Sequence, residues 1–243
     1  SASVSVPNIM LNTIVADALN VLVDKIEGAD DVNEAVYAVV RDVYNAHKRI
    51  IFNGNGYSDE WVAEAARRGL LNLKSTPECL PLLADSKNVE LLAKYGIFTP
   101  EETTSRVHIL LENYSKTIAI EADAALDMLY KDILPGIEAY VSDLTKATLR
   151  KKQAGITSSF EADLAGKISD IASEIYERAE KLTFVKKEVA EIDSENEKAT
   201  AYHEQVLAAM QALREKVDEV EPLIAQKSLT YPTYGQLLFG VND

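Results

Sequence analysis

The chain has 243 residues, of which 47% are apolar and 26% charged, an ordinary balance for a globular protein with a sizeable core. Its 25 Lys and Arg against 39 Asp and Glu give a formal net charge of −14. This charge argues against nucleic acid or an anionic membrane as a partner, since both need clustered basic residues. The single cysteine, Cys79, excludes an internal disulfide and is expected to be a small buried hydrophobic residue. With no evident signal peptide or long uninterrupted apolar run, the sequence predicts a soluble cytoplasmic protein.

Helices of short to medium length are predicted along the first hundred residues. A four-residue apolar repeat from Pro7 to Glu27 predicts a first helix that is buried over most of its surface. Turn and cap residues such as Gly28, Asp30 and Asp31 separate it from the next helix. The further helices are predicted over about 31–48, from Ser58 to Gly69, over "TPECLPLLA" (76–84) and over "SKNVELLAKYG" (86–96).

Long helices are predicted from residue 99 onward. Thr99 and Glu102 form a capping box around Pro100, and helical periodicity then runs to about Lys152, with a kink or break expected at Ile133–Gly136 because of Pro135. The segment "QAGIT" (153–157) predicts a turn between helices. Two regular apolar seams follow, over 168–192 and 199–224, and the polar "DSEN" (193–196) separates them. This pattern fits either a helical hairpin or one long bent helix.

The last residues, 228–243, break the helical pattern with Pro232 and Gly235. They predict an extended tail that packs its Tyr and Phe side chains back on the body of the protein. The fold predicted from these patterns is all-α, an antiparallel helical bundle with long coiled-coil-like helices. It leaves room for one very short extended segment near 49–52.

The stretch "HKRIIFNGNGYSDEW" (47–61) is the most unusual in the chain, with two Asn-Gly pairs before a helix start. It lacks the third glycine of a dinucleotide-binding loop and the Gly-Lys-Ser/Thr of a phosphate loop. As a calcium loop it would carry Tyr57 at a ligand position and would lack the required glycine. Asn-Gly pairs favour turns that use positive φ angles, so a structural turn is the preferred interpretation and a ligand loop the alternative.

No residue is assigned a catalytic, cofactor-binding or metal-binding role. The histidines, His47, His108 and His203, lack the Glu-x-x-His pairing of di-iron bundles, and His108 with Glu112 would still need further ligands. Glu101–Glu102 and Glu177–Glu180 are expected to be solvated charges. Taken alone, the residues indicate a helical interaction or assembly module.

Several motifs resemble the type III glutamine synthetases, the long form of that enzyme. The segment "HKRIIFNGNGYSDEWVAEAARRGLLNLKST" (47–76) carries the resemblance most clearly. Residues 150–227 are the least distinctive region. Further matching segments occur in the family's order; they are "PNIMLNTIVADAL" (7–19), "LLENYSKTIAIEA" (110–122), "ILPGIEAYV" (133–141) and "YPTYGQLLF" (231–239). One departure is Val6, where the family usually has Gly, because valine disfavours the positive φ that glycine can adopt.

The resemblance implies that the chain is the C-terminal part of a larger glutamate–ammonia ligase, an enzyme of glutamine biosynthesis and nitrogen metabolism. In that family the metal-binding glutamates lie upstream, the last on a Phe-Glu-Phe-Arg strand just before the segment matched by "SASVSVPN" (1–8). ATP with Mg or Mn is therefore implied for the parent enzyme, while this chain alone is expected to bind no cofactor and to be inactive.

The implied organisation has a helical remnant of the catalytic domain over 1–46 and a C-terminal helical domain over 47–243. The second contains a long helical hairpin over about 100–227 and the tail over 228–243. The implied partners are the remainder of the enzyme and neighbouring subunits in a homo-oligomer. Two alternatives stay open, a free-standing helical adaptor that reuses the domain and a small-molecule regulatory site between the helices near the Asn-Gly turn.

Overall fold

A computed structural model describes residues 3–157, 159–229, 231–232 and 234–240. Among these residues the regular structure is entirely helical, which confirms the all-α prediction. The chain divides into two compact units, Ser1–Ile109 and Leu110–Asp243. The functional boundary predicted at residue 46 came from the family resemblance and stays a prediction.

The first unit contains five helices and the start of a sixth. They are α1 (Ser5–Asp24), α2 (Val32–His47), α3 (Asp59–Arg67), α4 (Thr76–Leu83), α5 (Ser86–Lys94) and the residues of α6 (Pro100–Met128) up to Ile109. Helix α1 begins before Pro7 and includes Val6, so this valine has helical geometry rather than the positive φ of a glycine turn.

Predicted caps fix several of these helix ends. The Asp31 side chain accepts hydrogen bonds from the backbone N–H groups of Asn33 and Glu34 at the start of α2. The Thr99 N–H donates to Glu102 at 2.8 Å, and the Glu102 N–H donates to the Thr99 hydroxyl at 3.2 Å, which is the capping box expected for α6. Glycines with positive φ follow the helices at Gly28, Gly69, Gly96 and Gly155.

Helix α1 differs from its prediction because most of its apolar surface is exposed. Thr13 is its only buried residue among those described, whereas Leu11, Val15 and Leu19 are each more than half exposed. Within this unit α1 packs against α5. With 20 residues and a mean hydropathy of 1.5, α1 is long and apolar enough to cross a membrane. Signal sequences and the core helices of soluble proteins meet the same two criteria.

Cys79 also departs from its prediction. It lies in the short helix α4 and is exposed rather than buried, and its Sγ is 3.7 Å from the carbonyl oxygen of Leu73. Residue type alone therefore misjudged its environment.

The second unit is built around a helical hairpin. After the rest of α6 come a π-turn (Leu129–Ile133), α7 (Leu134–Gln153), α8 (Phe160–Ala190), α9 (Glu195–Ala201), a second π-turn (Tyr202–Val206) and α10 (Leu207–Val220). Helix α8 packs against both α7 and α10. The predicted seams form the core; their fully covered members include Ile168, Ile175, Ala179, Leu182, Val206 and Val220. The "DSEN" segment therefore reverses the chain, and the hairpin rather than the bent helix is correct.

Pro135 does not break the long helix. The backbone at Ile133 and Leu134 stays in the helical region, and the Leu134 N–H donates to the carbonyl oxygen of Leu129, five residues back. A π-turn widens the helix immediately before the proline and so accommodates the ring and its missing N–H. The predicted interruption is thus a local π-turn at 129–133.

The C-terminal segment also differs from its prediction. Two 3₁₀ turns, Glu221–Leu223 and Gln226–Ser228, lead into the predicted tail over 228–243, and the tail itself contains a short helix, α11 (Tyr234–Phe239), where an extended chain was expected. Tyr231 is half-buried and packs on the body as expected, but Phe239 is 82% exposed. Thr230, Thr233 and the last three residues, which also belong to the predicted tail, lie outside the described residues.

Candidate functional site

The Asn-Gly stretch forms a compact turn held by its own polar groups. Its possible extended segment near 49–52 is instead a 3₁₀ turn at Lys48–Ile50, after which Ile51 has extended dihedral angles. The Asn55 side chain accepts from the Tyr57 N–H at 3.0 Å, and the Ser58 hydroxyl donates to the Asn55 carbonyl oxygen at 2.9 Å. Ser58 then caps α3, as its sequence position predicted.

A stack of aromatic rings covers one side of this turn. Phe52 and Trp61 lie with ring centroids 4.3 Å apart and an interplanar angle of 25°. The Arg68 guanidinium lies within 6 Å of both ring centroids, where it makes cation–π interactions. The same guanidinium donates to the carbonyl oxygens of Arg49 and Ile51, at 3.1 and 2.7 Å. Arg68 therefore ties the end of α3 to the chain that leads into the turn.

Glu64 holds this arginine in place. Its carboxylate accepts from Arg67 at 2.6 Å and from Arg68 at 2.5 Å. These hydrogen bonds favour the charged form of the carboxylate and lower the pKa of Glu64 to about 2. The charged side chains of Glu64, Arg67 and Arg68, next to the turn, are therefore paired with one another.

The two glycines of the turn differ from the prediction in their backbone conformation. Neither Gly54 nor Gly56 has a positive φ. A Cβ at Gly54 would lie 2.5 Å from the tip of the Phe52 ring, whereas one at Gly56 would meet nothing within 4 Å. Gly54 is required by the close approach of an aromatic side chain, a reason that the spacing of the Asn-Gly pairs does not reveal.

The histidines do not come together. His47, His108 and His203 are all exposed, and Glu112 pairs with Lys116 at 2.6 Å. The Nδ1 of His203, on the second π-turn, is 3.0 Å from the Tyr114 hydroxyl. Across the described residues no three or more His, Cys, Asp or Glu side chains are grouped to hold a metal ion.

Another tyrosine of the second unit makes a hydrogen bond to a carboxylate. Tyr130, on the first π-turn, donates its hydroxyl to Glu180 at 2.9 Å, and burial together with this hydrogen bond raises the pKa of Tyr130 to about 12. Glu177 and Glu180 are both exposed, as predicted, and Glu180 also accepts this hydrogen bond between the first π-turn and α8.

An apolar surface that the described residues of the first unit leave exposed lies on α1 and α2. The α2 apolar face predicted from sequence includes Val32, Val40 and Tyr44, and each is more than half exposed. On α1, Asp17 accepts from Lys94 at 2.6 Å and from the Tyr95 hydroxyl at 2.9 Å, which holds one side of α1 against α5. These bonds also lower the pKa of Asp17. Leu11, Val15 and Leu19, which are each more than half exposed, are not at the i±3 or i±4 positions that neighbour Asp17.

The fold and these geometries define a class of protein, an all-α protein of two compact units with an exposed apolar surface on its first two helices. Comparison with known proteins indicates the family. Residues 35–152 match the family model of the glutamine synthetase C-terminal domain. This match confirms the resemblance of the chain's motifs to glutamine synthetases.

Three curated relatives agree with this match. A glutamine synthetase of Butyrivibrio fibrisolvens is 42% identical over 214 residues, which are 87% of this chain and 31% of the relative. A type-3 glutamine synthetase of Dictyostelium discoideum and a glutamine synthetase of Bacteroides fragilis are each 30% identical, across 98% of this chain and 34% of the relative. The chain spans about a third of the length of the relatives it matches.

Proposed function

We propose that the chain is the C-terminal helical region of an ATP-dependent glutamate–ammonia ligase, in which it has a structural role. The observation that carries this proposal is the match of residues 35–152 to a glutamine synthetase C-terminal domain, in a chain that spans a third of its relatives. The turn, the histidines and the acidic pairs, which were the candidates for chemistry, are instead engaged in packing or exposed singly.

In this role α1 and α2 contribute to the wall of the catalytic domain. An α-helix with a mean hydropathy of 1.5 that lies mostly exposed is unusual unless another surface covers it. The remainder of the same enzyme is the occupant that fits, because the relatives are about three times as long as this chain. The long helices of the second unit would then contact neighbouring subunits in a homo-oligomer.

The parent reaction would join ammonia to glutamate through a γ-glutamyl phosphate, with ATP and Mg or Mn supplied and held by the rest of the enzyme. This chain would contribute no metal ligand and would be inactive alone. A cytoplasmic location is part of the same proposal.

A free-standing helical adaptor is the second candidate, favoured only by the compact fold of the two units. The coding sequence upstream of Ser1 separates the two. A Phe-Glu-Phe-Arg strand and a β-grasp domain encoded there would support the enzyme, whereas a start codon or a signal sequence directly before Ser1 would overturn the proposal in favour of the adaptor.

A further inference from the structure

A cavity of about 420 Å³ lies in the second unit, between α6, α10 and the C-terminal segment. The interiors of proteins contain few voids larger than a water molecule, and pockets that hold small ligands begin at roughly 300 Å³. The cavity walls are mainly aliphatic; they include Ala125, Met128, Leu129, Met210, Leu213 and Leu237. A space of this size and lining is large enough for a ligand and has little affinity for water.

The cavity is built at an irregularity of the main helix. Leu129 and Ile133 begin and end the first π-turn, and both line the cavity. π-turns inside α-helices occur frequently at functional sites, because the wider turn redirects side chains that a regular helix would stack. Here the turn accommodates Pro135, and it also shapes one wall of the cavity.

Methionines form two opposite parts of the wall. The chain has only three methionines, and two of them, Met128 on α6 and Met210 on α10, line this cavity. Methionine side chains are flexible and polarizable and make favourable contacts with aromatic rings. These walls suit a flat or irregular apolar molecule.

The polar groups at the edge of the cavity already have partners. Arg214 pairs with Asp218 at 2.5 Å, and the Tyr231 hydroxyl donates to Glu221 at 2.6 Å. A charged ligand would have to compete with these pairs and would lose its own hydration, whereas an uncharged one would not. The edge groups thus favour a neutral ligand.

We propose that this cavity is a binding site for a small, uncharged aromatic or branched aliphatic molecule, enclosed on one side by the C-terminal segment. Tyr231, Pro232 and Leu237 supply that side. The inference goes beyond the proposed structural role and does not depend on it, because the walls belong entirely to the second unit.

Methyl NMR of the full chain tests this site with a defined probe, 1-aminoanthracene. With ¹³C-labelled methionine methyl groups, the probe is expected to shift the Met128 and Met210 signals in a saturable way. Met10, which lies in the first unit, serves as the internal reference and is expected to stay unchanged. No shift of the two signals up to the solubility limit of the probe, or equal shifts of all three, would overturn the proposal.

Two neighbouring alanines provide matched variants. Ala125 lines the cavity, whereas Ala124 does not and is exposed. Ala125→Leu places a larger side chain in the cavity and is expected to weaken probe binding by about tenfold or more, while Ala124→Leu leaves it unchanged. Circular dichroism checks that both variants fold. If Ala125→Leu fails to fold, the methionine shifts in the unaltered chain still decide the question. Equal affinities in two folded variants would contradict the site.

Discussion

At the scale of single residues, Glu64 makes the stability of the region around the Asn-Gly turn depend on pH. Its carboxylate has a pKa of about 2 in the folded protein, below its ordinary value of 4.5, because it accepts hydrogen bonds from Arg67 and Arg68. A lowered folded-state pKa contributes stability that is complete above the unfolded-state pKa and is lost as the pH falls through the folded-state value. The contribution of Glu64 is therefore present at pH 7 and declines between about pH 4.5 and pH 2.

The variant Glu64→Gln tests this contribution. Its urea midpoint is expected to lie below that of the unaltered chain at pH 7, and the difference is expected to shrink as the pH approaches 2. The fluorescence of Trp61, the only tryptophan, reports unfolding of this region directly. Glu90→Gln is the control, since Glu90 is exposed on α5. A difference that stays constant across the pH range would contradict the account of Glu64.

The two glycines of the turn give a second prediction at this scale. Gly54→Ala would push against the Phe52 ring, which is stacked on Trp61, and is expected to destabilise the protein by about 1–3 kcal/mol and to shift the Trp61 emission. Gly56→Ala meets open space and is expected to be neutral or slightly stabilising, because alanine restricts the unfolded chain. Equal effects of the two substitutions on the urea midpoint would refute this explanation.

Sequence reasoning at the residue scale succeeded where the cause is local. The caps at Asp31, Ser58 and Thr99 depend on neighbours within four positions, so their chemistry is readable from spacing. Cys79 was misjudged because its exposure does not follow from its residue type, and Gly54 because the position of the Phe52 ring is set by stacking on Trp61 rather than by spacing. Residue type alone does not carry that information.

At the scale of elements, a second pair of glycines tests how the C-terminal segment is held. Gly136 lies in α7 beneath the carbonyl oxygen of Ser228, where a Cβ would collide with the backbone, whereas Gly166 in α8 has nothing within 4 Å. Gly136→Ala is expected to lower the free energy of unfolding by about 1–3 kcal/mol. Gly166→Ala is expected to raise it by about 0.5–1 kcal/mol through helix propensity. Urea unfolding followed by circular dichroism measures both, and a stabilised Gly136→Ala variant would disprove the close packing of this segment.

The hairpin seam supports a further prediction at this scale. Leu182 is completely buried in α8, and Leu182→Ala is expected to cost about 2–5 kcal/mol because it removes apolar contacts and leaves a cavity. Phe184, two residues further along the helix, is 60% exposed, so Phe184→Ala is the control with a small expected effect. Thermal unfolding measures the stability of both variants. Similar losses of stability in Leu182→Ala and Phe184→Ala would mean that the buried seam is assigned to the wrong face of α8.

The hairpin illustrates what periodicity can predict about elements. The seams over 168–192 and 199–224 repeat every three to four residues, and this repeat identified most of the buried core positions within those two ranges. The reversal at 193–196 stayed open because a polar interruption suits a loop and a bend equally. The π-turn before Pro135 was also missed, since proline indicates a disturbance but not the form it takes.

At the scale of the whole molecule, the apolar surface of α1 is the feature that the proposed function explains. Leu19 is 56% exposed in this chain. Leu19→Asp is therefore expected to change the stability of the isolated chain very little. In the full-length enzyme the same substitution would place a charge in a buried contact, and a marked loss of soluble assembly or activity is expected. An unchanged full-length variant would mean that nothing covers this face.

The first helix also shows the limit of reading a whole molecule from part of it. Its repeat predicted burial over most of its surface, and the described residues of its own unit do not provide the surface that would bury it. Periodicity predicts that an apolar face is covered, but it does not say by which polypeptide. The cavity near the C-terminal segment was missed for a related reason, since it forms where three separated segments meet.

The claim that this region supports a glutamine synthetase without performing its chemistry is tested most directly by an activity assay of the purified chain. Glutamine formation would be measured with ATP, glutamate and ammonia, in the presence of Mg²⁺ or Mn²⁺ and beside a complete glutamine synthetase as a positive control. The account predicts no glutamine above the blank without protein. Metal-dependent glutamine synthesis by this chain alone would contradict it.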